Sequence, residues 1–129
     1  DEAPDSVSML PLMRDPNASP VRSSLVHQSI DGSLSLRRGK WKLEMCPGSG
    51  GWSFPRPKSA EEEGLPPLQL YDLAADIGET TNVAHLHSEI VASMREELAE
   101  IVRRGRSTPG VPLANDGVAV WESVAWLDD

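Results

Sequence analysis

The residues with the clearest chemical potential lie in a glycine- and serine-rich segment, Gly48–Ser53. Glycine lets a backbone approach a ligand closely, and the indole ring of Trp52 could stack on a sugar or an aryl ring. His27 lies on a predicted strand and could face the same pocket. These residues are the candidates for lining a substrate pocket, and the alternative, which the sequence favours, is that the segment is a flexible surface loop. The candidate pocket residues are Ser49, Gly50, Gly51, Trp52, Ser53 and His27.

The other histidines and a pair of aspartates do not predict a metal site. His85 and His87 precede a predicted helix, with no cysteine or carboxylate at ligand spacing. Asp72 and Asp76 could suggest calcium, but the surrounding pattern is not that of a calcium-binding loop. We expect both aspartates to organise a turn through hydrogen bonds between side chain and backbone.

Composition and charge limit the classes of partner. The chain has 129 residues, enough for one small domain with one core, and a net charge of -8. Nucleic acids and anionic membranes both require a basic face, so neither is an expected partner. The single cysteine, Cys46, excludes an intrachain disulfide. No apolar run approaches the roughly 18 residues that a membrane-spanning helix needs.

Four short segments of alternating character predict the strands that would position these side chains. Asp31-Gly32 and Arg38-Gly39 are predicted tight turns, because glycine accepts a positive φ without steric cost. Trp41 and Leu43 would share one face of the third strand, which leaves Lys42 on the other face and exposed to solvent. The predicted strands are Ser24–Ile30, Ser33–Arg37, Lys40–Met45 and Leu68–Leu73.

One amphipathic helix is predicted from Ser88 to Arg104, with Ser88 as the N-cap and Gly105 as the stop. Its apolar stripe would pack on the sheet. The predicted fold class is α+β, a small four-stranded antiparallel sheet packed against one C-terminal amphipathic helix, with irregular termini. The stripe consists of Ile90, Val91, Met94, Leu98, Ile101 and Val102.

Several motifs follow one another in a recognisable order between Val21 and Gly110. They are Leu36-Arg37-Arg38-Gly39-Lys40-Trp41-Lys42-Leu43, Leu70-Tyr71-Asp72-Leu73, Asp76-Ile77-Gly78-Glu79, Asn82 and Gly105-Arg106-Ser107-Thr108-Pro109-Gly110. This order resembles the C-terminal subdomain of the sulfatase family, in particular its bacterial arylsulfatase branch. Relatives usually carry proline where this chain has Ile77, so the turn is less rigid here.

The resemblance implies a parent enzyme that hydrolyses sulfate esters with calcium and a formylglycine residue. In that family the formylglycine is made from cysteine in Cys-x-Pro-x-Arg, or from serine, and its hydrated aldehyde attacks sulfur while the cation stabilises charge on the sulfate oxygens. Cys46-Pro47-Gly48-Ser49 does not fit, because the proline comes one position early and no arginine follows. We therefore assign no catalytic residue, metal ligand or cofactor to this chain, and we expect Cys46 to be a small packing residue.

The resemblance also implies how the chain is organised. Residues 1–20 would connect it to an N-terminal catalytic domain that it lacks, and Asp5 or Ser6 would cap a helical turn there. Residues 21–105 would be the C-terminal subdomain, and residues 106–129 an irregular tail. The subdomain would pack on the catalytic domain and help to shape the substrate pocket without being catalytic alone.

The expected partners are the catalytic domain of the same chain and, for the parent enzyme, a sulfated small molecule or a sulfated glycan. The isolated segment could also dimerise through an exposed apolar patch. A periplasmic or secreted location is expected from the resemblance. The competing hypothesis is a stand-alone, non-enzymatic module that binds carbohydrate or another protein through Trp52 and its loop.

Overall fold

The computed structural model describes residues 3–56, 58–59, 63–115, 117 and 121–128. A four-stranded antiparallel sheet with the strand order β1-β2-β3-β4 lies against one long helix, which confirms the predicted α+β class. The strands are β1 (Ser24–Gln28), β2 (Leu34–Arg38), β3 (Trp41–Glu44) and β4 (Gln69–Asp72). The helices are α1 (Leu10–Arg14) and α2 (Ser88–Arg104), with 3₁₀ segments at Ala84–Leu86 and Glu122–Asp128.

The strands are one or two residues shorter than predicted at most of their ends. The turns that join them are as expected, because Gly32 and Gly39 both have positive φ, at 91° and 59°. After β1 the backbone closes through Ser29, whose N–H donates to the Ser33 carbonyl at 2.9 Å. The register pairs Val26 with Leu36, which places the two side chains on one face of the sheet.

The core lies between the sheet and α2. Leu36, Leu43 and Leu70 come from three neighbouring strands, and they meet Met94 and Leu98 of the helix with no exposed side-chain area. Burying each of these side chains contributes about 1.5–3 kcal/mol. The alternation of the strands and the predicted helical stripe are therefore the source of this core.

The N-terminus of α2 differs from the prediction. Ser88 is the first helical residue and not the N-cap; the N-cap is His87, which makes no capping hydrogen bond with its side chain. The His87 ring packs against the Trp41 ring instead, with the centroids 4.9 Å apart. At the other end the prediction is confirmed, because Gly105 ends the helix in the left-handed conformation with φ 64°.

The short helix α1 begins later than predicted. Its N-cap is Met9, and neither Asp5 nor Ser6 caps it. Asp5 instead accepts hydrogen bonds from the backbone N–H and the hydroxyl of Ser107, at 2.5 and 2.7 Å. Arg106 donates to the Pro4 carbonyl at 3.2 Å. These bonds join the first segment of the chain to the segment that follows α2.

The helix α1 has no buried residue, and Met13 on it is 80% exposed. The assignment of residues 1–20 as a connector stays a prediction. Residues 1–2 of the predicted connector lie outside the described residues. Residues 116, 118–120 and 129 of the predicted tail also lie outside them. Among the helices that the structure describes, none is long and apolar enough to cross a membrane.

Candidate functional site

The face of the sheet that points away from α2 is polar. The register places His27 beside Ser35, and Arg37 beside Lys42. These side chains border a cavity of about 430 Å³. Three further lining residues, Glu44, Glu79 and Ser49, come from β3, from the turn after β4 and from the β3–β4 connection. The sheet therefore has an apolar face that forms the core and a charged face that borders a cavity.

Lys42 is at the centre of this charged face. Its ammonium group lies 2.7 Å from a carboxylate oxygen of Glu44 and 2.7 Å from one of Glu79, and only 21% of its side chain is exposed. Burial alone would lower the pKa of Lys42, but the hydrogen bonds and charges of the two glutamates outweigh it, so its pKa is raised. The prediction that Lys42 is exposed to solvent is therefore wrong, because the turn after β4 brings Glu79 over it.

A second polar chain connects the sheet to the loop. The Tyr71 hydroxyl donates to Gln69 Oε1 at 2.6 Å, and Gln69 Nε2 donates to the carbonyls of Cys46 and Gly48 at 2.9 and 2.7 Å. Burial, together with the nearby negative charge of Glu44, raises the pKa of Tyr71 to about 12. Gln69 thus fixes the start of the glycine-rich loop to the edge strand.

The loop itself is held by its own hydrogen bonds. The Ser49 N–H donates to the Pro55 carbonyl at 2.8 Å, and the Ser49 hydroxyl donates to the Ser53 carbonyl at 2.7 Å. Gly50 has φ 63°, and a Cβ added there would lie 3.1 Å from Cys46 Sγ and from Ser29 Oγ. Glycine is therefore favoured at position 50 by its left-handed backbone and by the close side chains of Cys46 and Ser29.

The structure divides the predicted pocket residues into two groups. His27, Ser49 and Gly50 line the cavity. Gly51, Trp52 and Ser53 are not among its lining residues, and the Trp52 side chain is 79% exposed at the loop tip. Arg37, Lys42, Glu44 and Glu79 line the cavity and were not predicted as site residues. Alternation along β3 already places Lys42 and Glu44 on one face, but their proximity to Glu79 follows only from the tertiary structure.

Cys46 is buried beside the same cavity, as expected of a packing residue. Burial raises the pKa of its thiol to about 11, and the charges of Glu44 and Asp31 act in the same direction. A reactive cysteine needs a lowered pKa and access to its substrate. Cys46 has neither property.

The aspartates organise the turn after β4, as predicted. Asp76 accepts hydrogen bonds from the N–H groups of Thr80 and Thr81, both at 2.8 Å, and these bonds help to lower its pKa. Asp72 accepts a hydrogen bond from the Ala74 N–H at 3.1 Å and forms an ion pair with Lys40. This turn holds Glu79 in position above Lys42.

The two histidines that precede α2, His85 and His87, lie in different surroundings. His87 packs on Trp41, whereas His85 is exposed and lines a separate cavity along α2. Within the described part of the chain, no three side chains from His, Cys, Asp and Glu cluster as metal ligands would. The described residues therefore offer binding groups and no metal centre.

The sequence is similar to part of a longer enzyme. An N-acetylgalactosamine-6-O-sulfatase of Bacteroides thetaiotaomicron is 30% identical to it over 104 residues, which are 81% of this chain and 20% of that enzyme. The similarity is therefore to one part of a sulfatase. No protein-family model matches the sequence.

A solved sulfatase structure gives the same result. Its description concerns the metabolism of multiple glycosaminoglycans by Bacteroides thetaiotaomicron. It superimposes on this chain with a TM-score of 0.58, and the two sequences are 29% identical. The match covers 77% of this chain and 20% of that one. The chain thus spans about a fifth of the length of each of these sulfatases. Both matches support the resemblance to the sulfatase C-terminal region that the sequence motifs indicate.

Proposed function

We propose that this chain is the C-terminal part of a sulfuric ester hydrolase, in which it packs on a catalytic domain and contributes to the substrate pocket. The observation that carries the proposal is the match at 30% identity over 104 residues to a sulfatase. The polar cavity beside the glycine-rich loop supports it, because sulfated substrates need hydrogen-bond donors and cations.

The proposed role of this chain is recognition and not bond cleavage. Arg37 lines the cavity, and among the residues that the structure describes its side chain donates only to the Gly39 carbonyl, with Nε 3.4 Å away. Its other N–H groups can therefore donate to a ligand. Lys42 is already neutralised by Glu44 and Glu79 and is available mainly as a rigid support. His27 and Ser49 add polar groups at the cavity wall.

The nucleophile and the calcium ion of such an enzyme would come from the catalytic domain. When present, a formylglycine supplies the attacking oxygen and calcium offsets charge on the sulfate. We propose that the substrate is a sulfated glycan, because one relative is named for a sulfated sugar and the other is described under glycosaminoglycan metabolism.

The first test is to sequence the gene upstream of the Asp1 codon. The proposal expects an in-frame coding region for a catalytic domain with Cys-x-Pro-x-Arg or its serine variant. The full-length product should then release sulfate from a sulfated glycan oligosaccharide, and the 129-residue chain alone should not. A start codon directly before Asp1, or an inactive full-length product, would contradict the proposal.

A second test concerns the cavity. In the full-length enzyme, Arg37→Ala should raise KM by about tenfold with a smaller change in kcat, since the loss of a charge-assisted hydrogen bond weakens substrate binding. Arg14→Ala removes an exposed arginine from α1 and serves as the matched control. Equal kinetics for both variants would show that the cavity does not contact substrate.

An alternative function is a non-enzymatic carbohydrate-binding module. The exposure of Trp52 favours it, since an accessible indole is a common sugar-stacking surface. Gene context separates the two functions, because a module would be encoded without the catalytic domain.

A further inference from the structure

The tip of the β3–β4 connection presents two aromatic side chains to solvent. Trp52 is 79% exposed and Phe54 is 81% exposed, although they are separated by only Ser53. Single exposed apolar residues need no explanation, but two large exposed rings two positions apart on one loop are typical of a binding surface. Neither ring belongs to the lining of the cavity on the charged face.

The base of this loop is ordered, so its tip has a defined position. Ser49 bonds to Ser53 and Pro55 across the loop, and Gln69 bonds to the carbonyls of Cys46 and Gly48 at its start. A surface that is ordered before binding loses less conformational entropy when a ligand arrives.

A cation accompanies the rings. The guanidinium carbon of Arg56 lies 5.5 Å from the centre of the Phe54 ring. In the part of the chain that the structure describes, Arg56 makes no ion pair and no hydrogen bond, so its N–H groups are available to a ligand. Lys58 is exposed two residues further on. The net charge of the chain is -8, so attraction of an anionic ligand to this loop would come from the local guanidinium of Arg56 beside the aromatic ring.

We propose that Trp52, Phe54 and Arg56 form a binding platform for an anionic sugar, with sulfate or carboxylate substituents. The apolar face of a sugar ring would stack on the aromatic rings, and the anionic group would accept hydrogen bonds from Arg56. Because the platform lies outside the cavity lining, it would contact a different sugar unit from the one held in the cavity. This proposal extends the proposed function. It rests on that function only where it says that the bound sugar is part of the enzyme's substrate.

Binding by the 129-residue chain tests the platform without any catalytic step. Isothermal titration would compare a chondroitin 6-sulfate tetrasaccharide, its desulfated counterpart, which keeps the carboxylates, and a neutral chito-oligosaccharide of equal length. We expect the sulfated probe to bind, and Trp52→Ala or Phe54→Ala to weaken it about tenfold. Arg56→Ala should remove the preference for the anionic probes over the neutral one. Differences between the sulfated and desulfated probes show which anionic group is recognised.

Two matched variants control for nonspecific effects. Ile77→Ala removes an apolar side chain that is 81% exposed on another turn, and Arg14→Ala removes an arginine on α1. Both should bind the sulfated probe like the unmodified chain. All five positions are exposed, so the far-ultraviolet circular dichroism of every variant should be unchanged.

Three binding results would overturn the platform. They are no binding of any probe at millimolar concentration, equal binding of the neutral probe, and an Arg56→Ala variant that keeps its preference for anions. Protection of Trp52 from acrylamide quenching in the full-length product would also overturn it, since the loop tip would then pack on protein. Sulfate release by the full-length product is measured separately. A failure of hydrolysis alone would contradict the proposed function and leave the platform intact.

Discussion

Glu79 allows a quantitative test of how the charged face is built. It is the one non-glycine residue with a positive φ, 54°, among those that the structure describes. Its two carboxylate oxygens accept hydrogen bonds from Lys42 Nζ at 2.8 and 2.7 Å. We infer that the ion pair offsets the cost of a left-handed backbone at this position.

Three substitutions separate the two contributions. Glu79→Ala removes the carboxylate and keeps the unfavourable φ. Glu79→Gly also removes the carboxylate but accepts the left-handed conformation. Glu79→Gln keeps the length of the side chain and a hydrogen-bond acceptor but removes the charge.

The expected changes in the free energy of unfolding depend on how far the ion pair between Lys42 and Glu79 is exposed to solvent. The side chains of Lys42 and Glu79 are 21% and 32% exposed, so the ion pair is intermediate between a surface pair and a buried pair. A surface pair contributes about 0–1 kcal/mol, and breaking a buried pair costs about 3–5 kcal/mol. We therefore expect Glu79→Ala to lower the free energy of unfolding by about 1–2 kcal/mol. Glu79→Gly should be more stable than Glu79→Ala by about 1 kcal/mol, the cost of a left-handed non-glycine residue.

Urea unfolding at neutral pH, followed by circular dichroism, measures these differences. A change of about 1 kcal/mol moves the midpoint by about 0.5 M if the slope stays near 2 kcal/mol per molar urea. Glu100→Gln, at an exposed position on α2, is the control and should shift the midpoint little. If Glu79→Gly is no more stable than Glu79→Ala, the argument about backbone strain is wrong. If Glu79→Gln is as stable as the unmodified chain, the charge contributes nothing.

Three further predictions concern buried groups. Folding raises the pKa of the Cys46 thiol from 9.0 to about 11, so the thiol ionises at a lower pH in the unfolded state. The free energy of unfolding should therefore fall as the pH rises from 9 to 11, and not below pH 9. Urea unfolding at a series of pH values should show a shallower fall for Cys46→Ala than for the unmodified chain. A Cβ in Gly105→Ala would overlap the Leu113 carbonyl and impose a left-handed conformation on alanine, so thermal melting should reveal a loss of about 2 kcal/mol or more. The Leu70 N–H donates to the Asn82 side chain at 3.0 Å. Asn82→Ala should therefore lower the free energy of unfolding by about 1–3 kcal/mol and speed amide exchange at Leu70. Asn82→Asp should keep the acceptor and much of the stability.

Much of the fold could be predicted because its signals are local. Alternation in the third strand placed Trp41 and Leu43 toward the core, and the 3.6-residue period of the helix identified Met94 and Leu98 as buried. The helix stop at Gly105 was predictable because a left-handed C-terminal residue favours glycine whatever lies nearby. The prediction of Ser88 as N-cap was wrong by one residue, because the sequence pattern does not fix a helix end more closely than one or two positions; the N-cap is His87, whose ring packs on Trp41.

The candidate site was less predictable, because it is built by contacts between distant segments. Glycine and serine content indicated the loop, and the order of the motifs indicated a resemblance to sulfatases. The structure places Ser49, Gly50 and His27 at one cavity. The sequence could not show that Arg37 borders the same cavity or that Trp52 lies outside it, since a loop's direction depends on the bonds at its base.

The amino-acid sequence by itself determined which residues alternate, where the chain turns and which residues form the apolar core, since periodicity and glycine positions act over a few residues. Only the tertiary structure decided the electrostatics of the polar face. Lys42 and Glu79 are far apart in sequence, and their approach depends on strand register and on the turn held by Asp76. A charge that the strand pattern assigns to solvent thus becomes half-buried and paired, because desolvation and Coulomb attraction depend on distances in the folded chain.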